Sequence, residues 1–268
     1  MEAQKKSAAK AKNAKKGGFN AFVVILLSFA ISLCFYMFVL GDPSHFDEAG
    51  HPVDLLGTIH EGGFVVPIIQ GLLVLVVILS VERLIALGKA KGSKSVDKFV
   101  KELKAALEAD KVEEAKAICA KQGGSIGNAV LAGVEAYAAM AKETTLKKEN
   151  RIAAIRNSLD EAINMEMPTL QQNMPLIFTN TTLGTLMGLF GTVLGMIKSF
   201  QALGQSGAPD SAALSAGISE ALVNTASGIL VGALAVISYN YFDVKINDIT
   251  YKINEAGAVI VATFENKY

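Results

Sequence analysis

Apolar positions run in four long stretches, at about residues 19–40, 64–88, 175–203 and 214–242. Each reaches the roughly 20 residues that cross the hydrocarbon core of a bilayer. Backbone N–H and C=O groups have no water to bond to at that depth, so the pattern predicts four helices. Elsewhere the apolar positions recur at helical spacing. Val96, Phe99, Val100, Leu103 and Leu107 form one short amphipathic run, and Val112, Ala115, Ile118 and Cys119 form another before the breaker Gly123-Gly124. Beyond Thr144, the series Leu146, Ile152, Ile155, Leu159, Ile163, Met167 and Leu170 predicts one long helix that enters the third span with bends near Pro168 and Pro175. Ile246, Ile249, Ile253, Val259, Ile260 and Phe264 repeat the pattern in the tail. The expected fold is all-α: a polytopic membrane protein with four transmembrane helices, whose long helices extend into a cytoplasmic helical bundle.

Charge orients these elements. The 25 Lys+Arg balance 25 Asp+Glu, so net charge points to no nucleic acid. Their distribution is uneven: no Lys or Arg lies between Gly41 and Gly63 or between Ala202 and Ala216, whereas the tail before Phe19 and the segment from Lys89 to Met174 are rich in them. The positive-inside rule then predicts a cytoplasmic basic tail (1–18), a first span (19–40), an external loop (41–63), a second span (64–88), a cytoplasmic helical region (89–174), a transmembrane hairpin (175–242) and a cytoplasmic tail helix (243–268). Both termini fall in the cytoplasm of a multi-pass protein. The first span is read as a retained anchor, because its apolar run exceeds a signal-peptide core and no small-x-small cleavage pattern follows. Cys34 and Cys119 then lie in different compartments and do not pair.

Signatures of catalysis are missing from the sequence. Gly88, Lys89 and Gly92 do not have phosphate-loop spacing, and neither H-E-x-x-H nor G-x-S-x-G occurs. An enzyme is not expected, and no cofactor is implied. His45, His51 and His60 share the acidic external loop with Asp42, Asp47, Glu48 and Glu61, but their spacing matches no metal-ligand pattern, so a solvated loop is expected and no metal.

The informative residues sit inside the last two spans. Thr181, Thr185, Gly188, Thr192, Gly195 and Ser199 follow steps of three and four, which makes one whole helix side small or hydroxylated. In the last span Ala221, Thr225, Gly228 and Gly232 form a second small face, beside Glu220, Asn224 and Ser227. Such faces either pack helices closely or line a hydrated pore. Counting outward from Pro209, Thr192 lies 17 residues before it and Thr225 lies 16 after it, so the two threonines share a level. That level is roughly 16 Å deep at 1.5 Å per residue, close to the bilayer middle. The same count sets Lys198 level with Glu220 as a candidate intramembrane pair, with snorkelling of Lys198 to the external surface as the alternative. Threonine does not titrate in the accessible range and no titrating carboxylate lies at mid-depth, so the sequence implies either a partner that brings one or a homo-oligomer that merely lines a pore.

At these residues the chain resembles the MotA/TolQ/ExbB family of proton-channel subunits, and most closely its ExbB and TolQ branch. The resemblance rests on LMGLFGTVLGMIKSF at 186–200, ISEALVNTASGILVGALAVISYNYF at 218–242 and the Glu82-Arg83 pair at the inner end of the second span. The first span lies outside the three-span ExbB pattern. The resemblance implies a bacterial inner-membrane subunit that forms a homo-oligomeric ring, five-fold in relatives. The ring surrounds single-span partners of the ExbD or TolR type, whose intramembrane Asp carries the proton. It implies that Thr192, Thr225 and Glu220 form the proton pathway, and that work passes through a TonB or TolA type protein to outer-membrane transport or envelope maintenance. Two other readings compete: a flagellar- or gliding-type stator, with Lys147, Lys148 and Arg151 available to meet a rotor, and a structural membrane scaffold in which the small faces only pack.

Overall fold

A computed structural model describes residues 21–48, 50–93, 95–205 and 211–268. The basic tail expected at 1–18 and Pro209, from which depth was counted, lie outside them. In chain order the helices are α1 (Ala21–Phe35, continued by a π turn Tyr36–Leu40), α2 (Leu55–His60), α3 (Val65–Ala90), α4 (Val96–Glu108), α5 (Val112–Gln122), α6 (Gly124–Lys142), α7 (Lys148–Leu170), α8 (Met174–Gln205) and α9 (Ser211–Lys267). No strand occurs among the described residues, apart from an isolated bridge between Phe46 and Pro52. Four helical stretches among the described residues are long and apolar enough to cross a membrane: Ala21–Leu40, Val65–Ala90, Met174–Gly204 and Ser211–Lys267.

Two compact units divide the chain. The first comprises the described residues up to Val81 together with Asn173–Tyr239. Val65, Ile69, Leu72 and Val231 form its core, with Phe29, Leu73, Met187 and Leu194 packed around them. Its polarity is inverted relative to a water-soluble domain. Phe22, Phe38, Phe178, Leu189, Phe200, Leu222 and Ile237 are exposed, whereas Ser28, Ser32, Asn180, Ser199, Glu220 and Asn224 are buried. Large apolar side chains facing outward around small and polar ones facing inward suit a lipid surround. The first span is seated on α3 by two contacts. Ser32 Oγ donates to Pro67 O at 2.6 Å, and the Phe29 ring fills the space a Cβ on Gly71 would need, with ring atoms 2.6 and 2.8 Å from that position.

The loop between the first two spans is folded rather than merely solvated. Asp42 caps the turn Pro43–His45 by accepting from Ser44 N, and Asp54 caps α2 by accepting from Gly57 N at 2.9 Å. These bonds to the charged form hold both carboxyls below the usual carboxylate range. Asp54 also meets His45 Nδ1 at 2.7 Å, and His60 stacks on Tyr36 with centroids 4.6 Å apart. No group of three metal-ligating side chains occurs among the described residues.

The second unit, Glu82–Gln172 with Asn240–Tyr268, has ordinary polarity. Phe99, Leu103, Leu107, Ile126, Val130, Val134, Tyr137, Ile155, Ile249, Ile253, Ile260 and Phe264 are buried and, Arg83 apart, the charges face outward. The expected breaker is real: α5 ends and α6 begins at Gly123 and Gly124, both with φ near +60°, which glycine adopts without steric penalty. Arg83 is fully buried. It forks onto Glu82, with Nε donating to Oε2 at 2.6 Å, and its Nη1 donates to Thr169 O and Leu170 O, so it caps the carbonyl end of α7.

One expectation is corrected. The helix anticipated from Leu146 into the third span is two helices: α7 stops at Leu170, Asn173 takes a left-handed φ of 62°, and α8 restarts at Met174. Asn tolerates that conformation, and Pro175 lies in the first turn of α8, where a missing N–H leaves no bond unmade. Leu146 is outside the helix and exposed. The last span and the tail helix are one uninterrupted helix of 57 residues, because nothing between Phe242 and Ile246 breaks it.

Candidate functional site

The antiparallel pair α8 and α9 meets over its small faces. A Cβ on Gly188 would lie 2.9 Å from Asn224 O and 3.0 Å from Gly228 Cα, and one on Gly228 would lie 2.5 Å from Gly184 O. Gly195 faces Gly217 O and Ala221 in the same way, and Gly232 faces Thr181 O and Thr185 Oγ1. Ser199 is buried and donates to Gly195 O at 3.1 Å or to Leu214 O at 3.2 Å. Gly188, Gly195, Ser199, Gly228 and Gly232 therefore act within this chain as the packing seam between the two helices.

The hydroxyls lie along the edge of that seam. Thr192 Oγ1 and Thr225 Oγ1 are in direct hydrogen-bond contact. Thr192 also reaches Gly188 O at 3.2 Å and Ala221 O at 3.4 Å, and Thr225 reaches Ala221 O at 3.1 Å. Two hydroxyl protons serve several acceptors, so the pair can point either way and offer a donor or a lone pair to a third group. Both threonines are half-buried, which leaves them reachable from outside the pair. Thr181 donates to Phe178 O at 2.7 Å and Thr185 to Thr181 O at 3.4 Å, back-bonds within their own helix. Ser227 is half-buried on the adjacent face of α9 and does not join the threonine contact.

Six residues further along α8, Lys198 Nζ donates to both oxygens of Glu220, each at 2.7 Å. The carboxylate side is 7% exposed and the lysine 52%, so the pair combines a buried acid with a cation that still meets its surroundings. Sequence reasoning does not reach the third wall of this site. Asn224 Nδ2 donates to Gly62 O at 2.8 Å, and Gly63 lies so close to Glu220 that a Cβ there would be 2.7 Å from Oε1. The Gly62-Gly63 pair ahead of the second span was the only sequence signal of this approach.

The charges of the second unit are engaged within it. Lys148 Nζ donates to Glu265 O at 2.6 Å, and Arg151 donates to Glu143 O at 3.1 Å, where it closes the end of α6. Lys147 is exposed.

The fold and the site together define a multi-pass, all-helical membrane protein built around a hydroxyl-lined helix hairpin. Residues 128–255 match the MotA/TolQ/ExbB proton channel family. It is similar to an ExbB-like biopolymer transport protein of Synechocystis, with 37% identity over 89 residues, 32% of this chain and 42% of that protein. It is also similar to the Tol-Pal system protein TolQ of Haemophilus influenzae, with 32% identity over 98 residues, 37% of this chain and 43% of the relative. The biopolymer transport protein ExbB of Xanthomonas campestris matches at 32% identity over 98 residues, 37% of this chain and 38% of the relative. The matches thus span less than half the length of these relatives. The family match includes all of α7 and α8 and α9 as far as Glu255, and it begins after the first two spans.

Proposed function

We propose that this protein is the ring-forming subunit of a proton-driven motor in a bacterial inner membrane, closest in role to ExbB. Protons descending their gradient pass beside Thr192 and Thr225, and the titrating carboxylate is an Asp in the membrane segment of a single-span partner of the ExbD or TolR type. The observation that carries this reading is the contact between the two threonine hydroxyls at the edge of the α8–α9 seam. A pair that can reverse its polarity, in a setting that excludes most water, can hydrogen-bond a carboxylate in either protonation state without itself titrating. Glu220, held by Lys198, stands on the external side and tunes access from outside. Both termini face the cytoplasm, and five copies encircle the partner dimer. The work is delivered through a TonB type protein to outer-membrane transport. A charge crossing 100 mV releases about 2.3 kcal/mol, enough per proton to bias a conformational step.

The test is reconstitution with a co-expressed single-span partner in vesicles that contain a pH-sensitive dye. Proton uptake that requires the partner's Asp and disappears when both threonines become Val supports the reading. Uptake that persists in Thr192→Val/Thr225→Val, or a complex that never conducts, favours a scaffold instead. Complementation of strains defective in TonB-dependent uptake or in envelope integrity separates an ExbB role from a TolQ role. The bonds of Lys148 and Arg151 to this chain's own carbonyls weigh against a stator that offers those residues to a rotor.

A further inference from the structure

The external loop does not simply connect two spans. Its last two residues lie flat on one face of α9. Gly62 O accepts from Asn224 Nδ2 at 2.8 Å, a Cβ on Gly62 would meet Val223 Cγ1 at 3.2 Å, and a Cβ on Gly63 would meet Glu220 Oε1 at 2.7 Å and Lys198 Nζ at 3.7 Å. Glu220, Val223 and Asn224 are spaced by three and four, so the glycine pair covers one continuous patch of that helix. Gly63 has φ +72°, a conformation open to glycine, and lacks the side chain that the carboxylate would otherwise strike. The segment is anchored from behind: Gly63 N donates to His60 O at 3.1 Å, and Tyr36 Oη of the first span's π turn donates to the same carbonyl at 3.2 Å. Asn224 is fully buried, and its bond to Gly62 is the hydrogen bond that ties the glycine pair to α9.

We infer that Gly63 and Asn224 are positioning residues for Glu220: the Gly62–Gly63 segment closes one side of the carboxylate and holds it toward Lys198, so the ion pair opens by movement of the half-exposed lysine. The consequence for proton access rests on the function proposed above. The geometry itself does not, and it is read out without any proton flux. Full-length protein in sealed membranes, oriented with the loop outward, is treated with a membrane-impermeant amine-acylating reagent, and modification of Lys198 is followed by peptide mass spectrometry.

In Gly63→Ala the new methyl displaces the carboxylate, and Lys198 acylation rises about threefold, the scale of a half-exposed ion pair. In Gly63→Ala/Glu220→Asp the shorter acid withdraws from the methyl while the long lysine follows it, and acylation returns toward the parent rate. A merely destabilised bundle would not be rescued by shortening an acid. Asn224→Ser releases Gly62 without adding bulk and also raises acylation, which decides the matter if Gly63→Ala does not fold. Unchanged Lys198 acylation in folded Gly63→Ala, or in Asn224→Ser, overturns the inference. Altered acylation in vesicles that never conduct protons leaves the latch standing and removes the proposed function instead.

Discussion

Lys198 Nζ lies 2.7 Å from each carboxylate oxygen of Glu220, yet the two partners differ sharply in burial, 52% exposed against 7%. That asymmetry predicts which half of the pair is more damaging to remove. Lys198→Ala leaves a buried carboxylate without its donor, whereas Glu220→Gln leaves a cation that already reaches its surroundings. Losing the partner of a buried charged group costs about 1–3 kcal/mol, and the exposed lysine end limits the effect to the lower part of that range. Unfolding in detergent should therefore rank parent above Glu220→Gln above Lys198→Ala, with about 1 kcal/mol or more lost in the last. The reverse ranking would show that the carboxylate is solvated.

The threonine pair separates stability from function. Each hydroxyl also bonds a carbonyl of its own helix turn, an interaction that adds little to helix stability. Valine is close to threonine in shape, so Thr192→Val/Thr225→Val should unfold within about 1–2 kcal/mol of the parent. It should still enter the membrane and assemble. Proton uptake with the partner present should fall to background, and Thr192→Ser, which keeps the hydroxyl, should retain most of it. Equal uptake in the Val and Ser variants would remove the hydroxyls from the pathway.

Close approach at the seam makes Gly228 intolerant of even a methyl group. A Cβ there would stand 2.5 Å from Gly184 O and 2.6 Å from Gly188 Cα, both backbone atoms of the facing helix that cannot rotate away. Gly228→Ala should destabilise by about 1–3 kcal/mol, the usual scale of overpacking. Gly88, within α3, meets nothing within 4 Å. Gly88→Ala should be neutral or stabilise by up to about 1 kcal/mol, through helix propensity alone. Thermal unfolding of the two variants side by side checks the contrast.

Much of this arrangement is legible in the sequence for one physical reason: a helix advances regularly. Counting residues on each side of a short connection is enough to set Thr192 beside Thr225 and Lys198 beside Glu220. The four apolar stretches are legible because the bilayer imposes a length, and the buried rows from Phe99 to Leu107 and from Ile246 to Phe264 because packing imposes a period. Contacts set by neither rule stay hidden. Ser32 to Pro67 and Asn224 to Gly62 join residues 35 and 162 positions apart, and no local pattern announces them. The stop at Asn173 is hidden for another reason: the hydrophobic series runs through it, and only the left-handed backbone of a residue that tolerates it interrupts the helix.

Cys119 gives the second unit a dependence on alkaline pH. Its thiol is buried on α5, and burial pushes its pKa up to about 12, against 9.0 for an unperturbed thiol. The folded state thus holds the proton where the unfolded chain releases it. A group raised in this way contributes stability that is complete below the unfolded value and is lost as pH climbs toward the folded one. Tyr137, raised by burial from 10.0 to about 12, acts in the same direction. Stability of the second unit should therefore be flat up to about pH 9 and fall steadily above it. Hydrogen exchange of α5 and α6 amides, corrected for intrinsic rate, provides the measurement. In parallel, alkylation of Cys119 at pH 8 should proceed only as fast as the unit opens, and should accelerate in denaturant to the rate of a free thiol. Fast alkylation of the folded protein at pH 8 would mean that the thiol is solvated and that α5 does not pack as described.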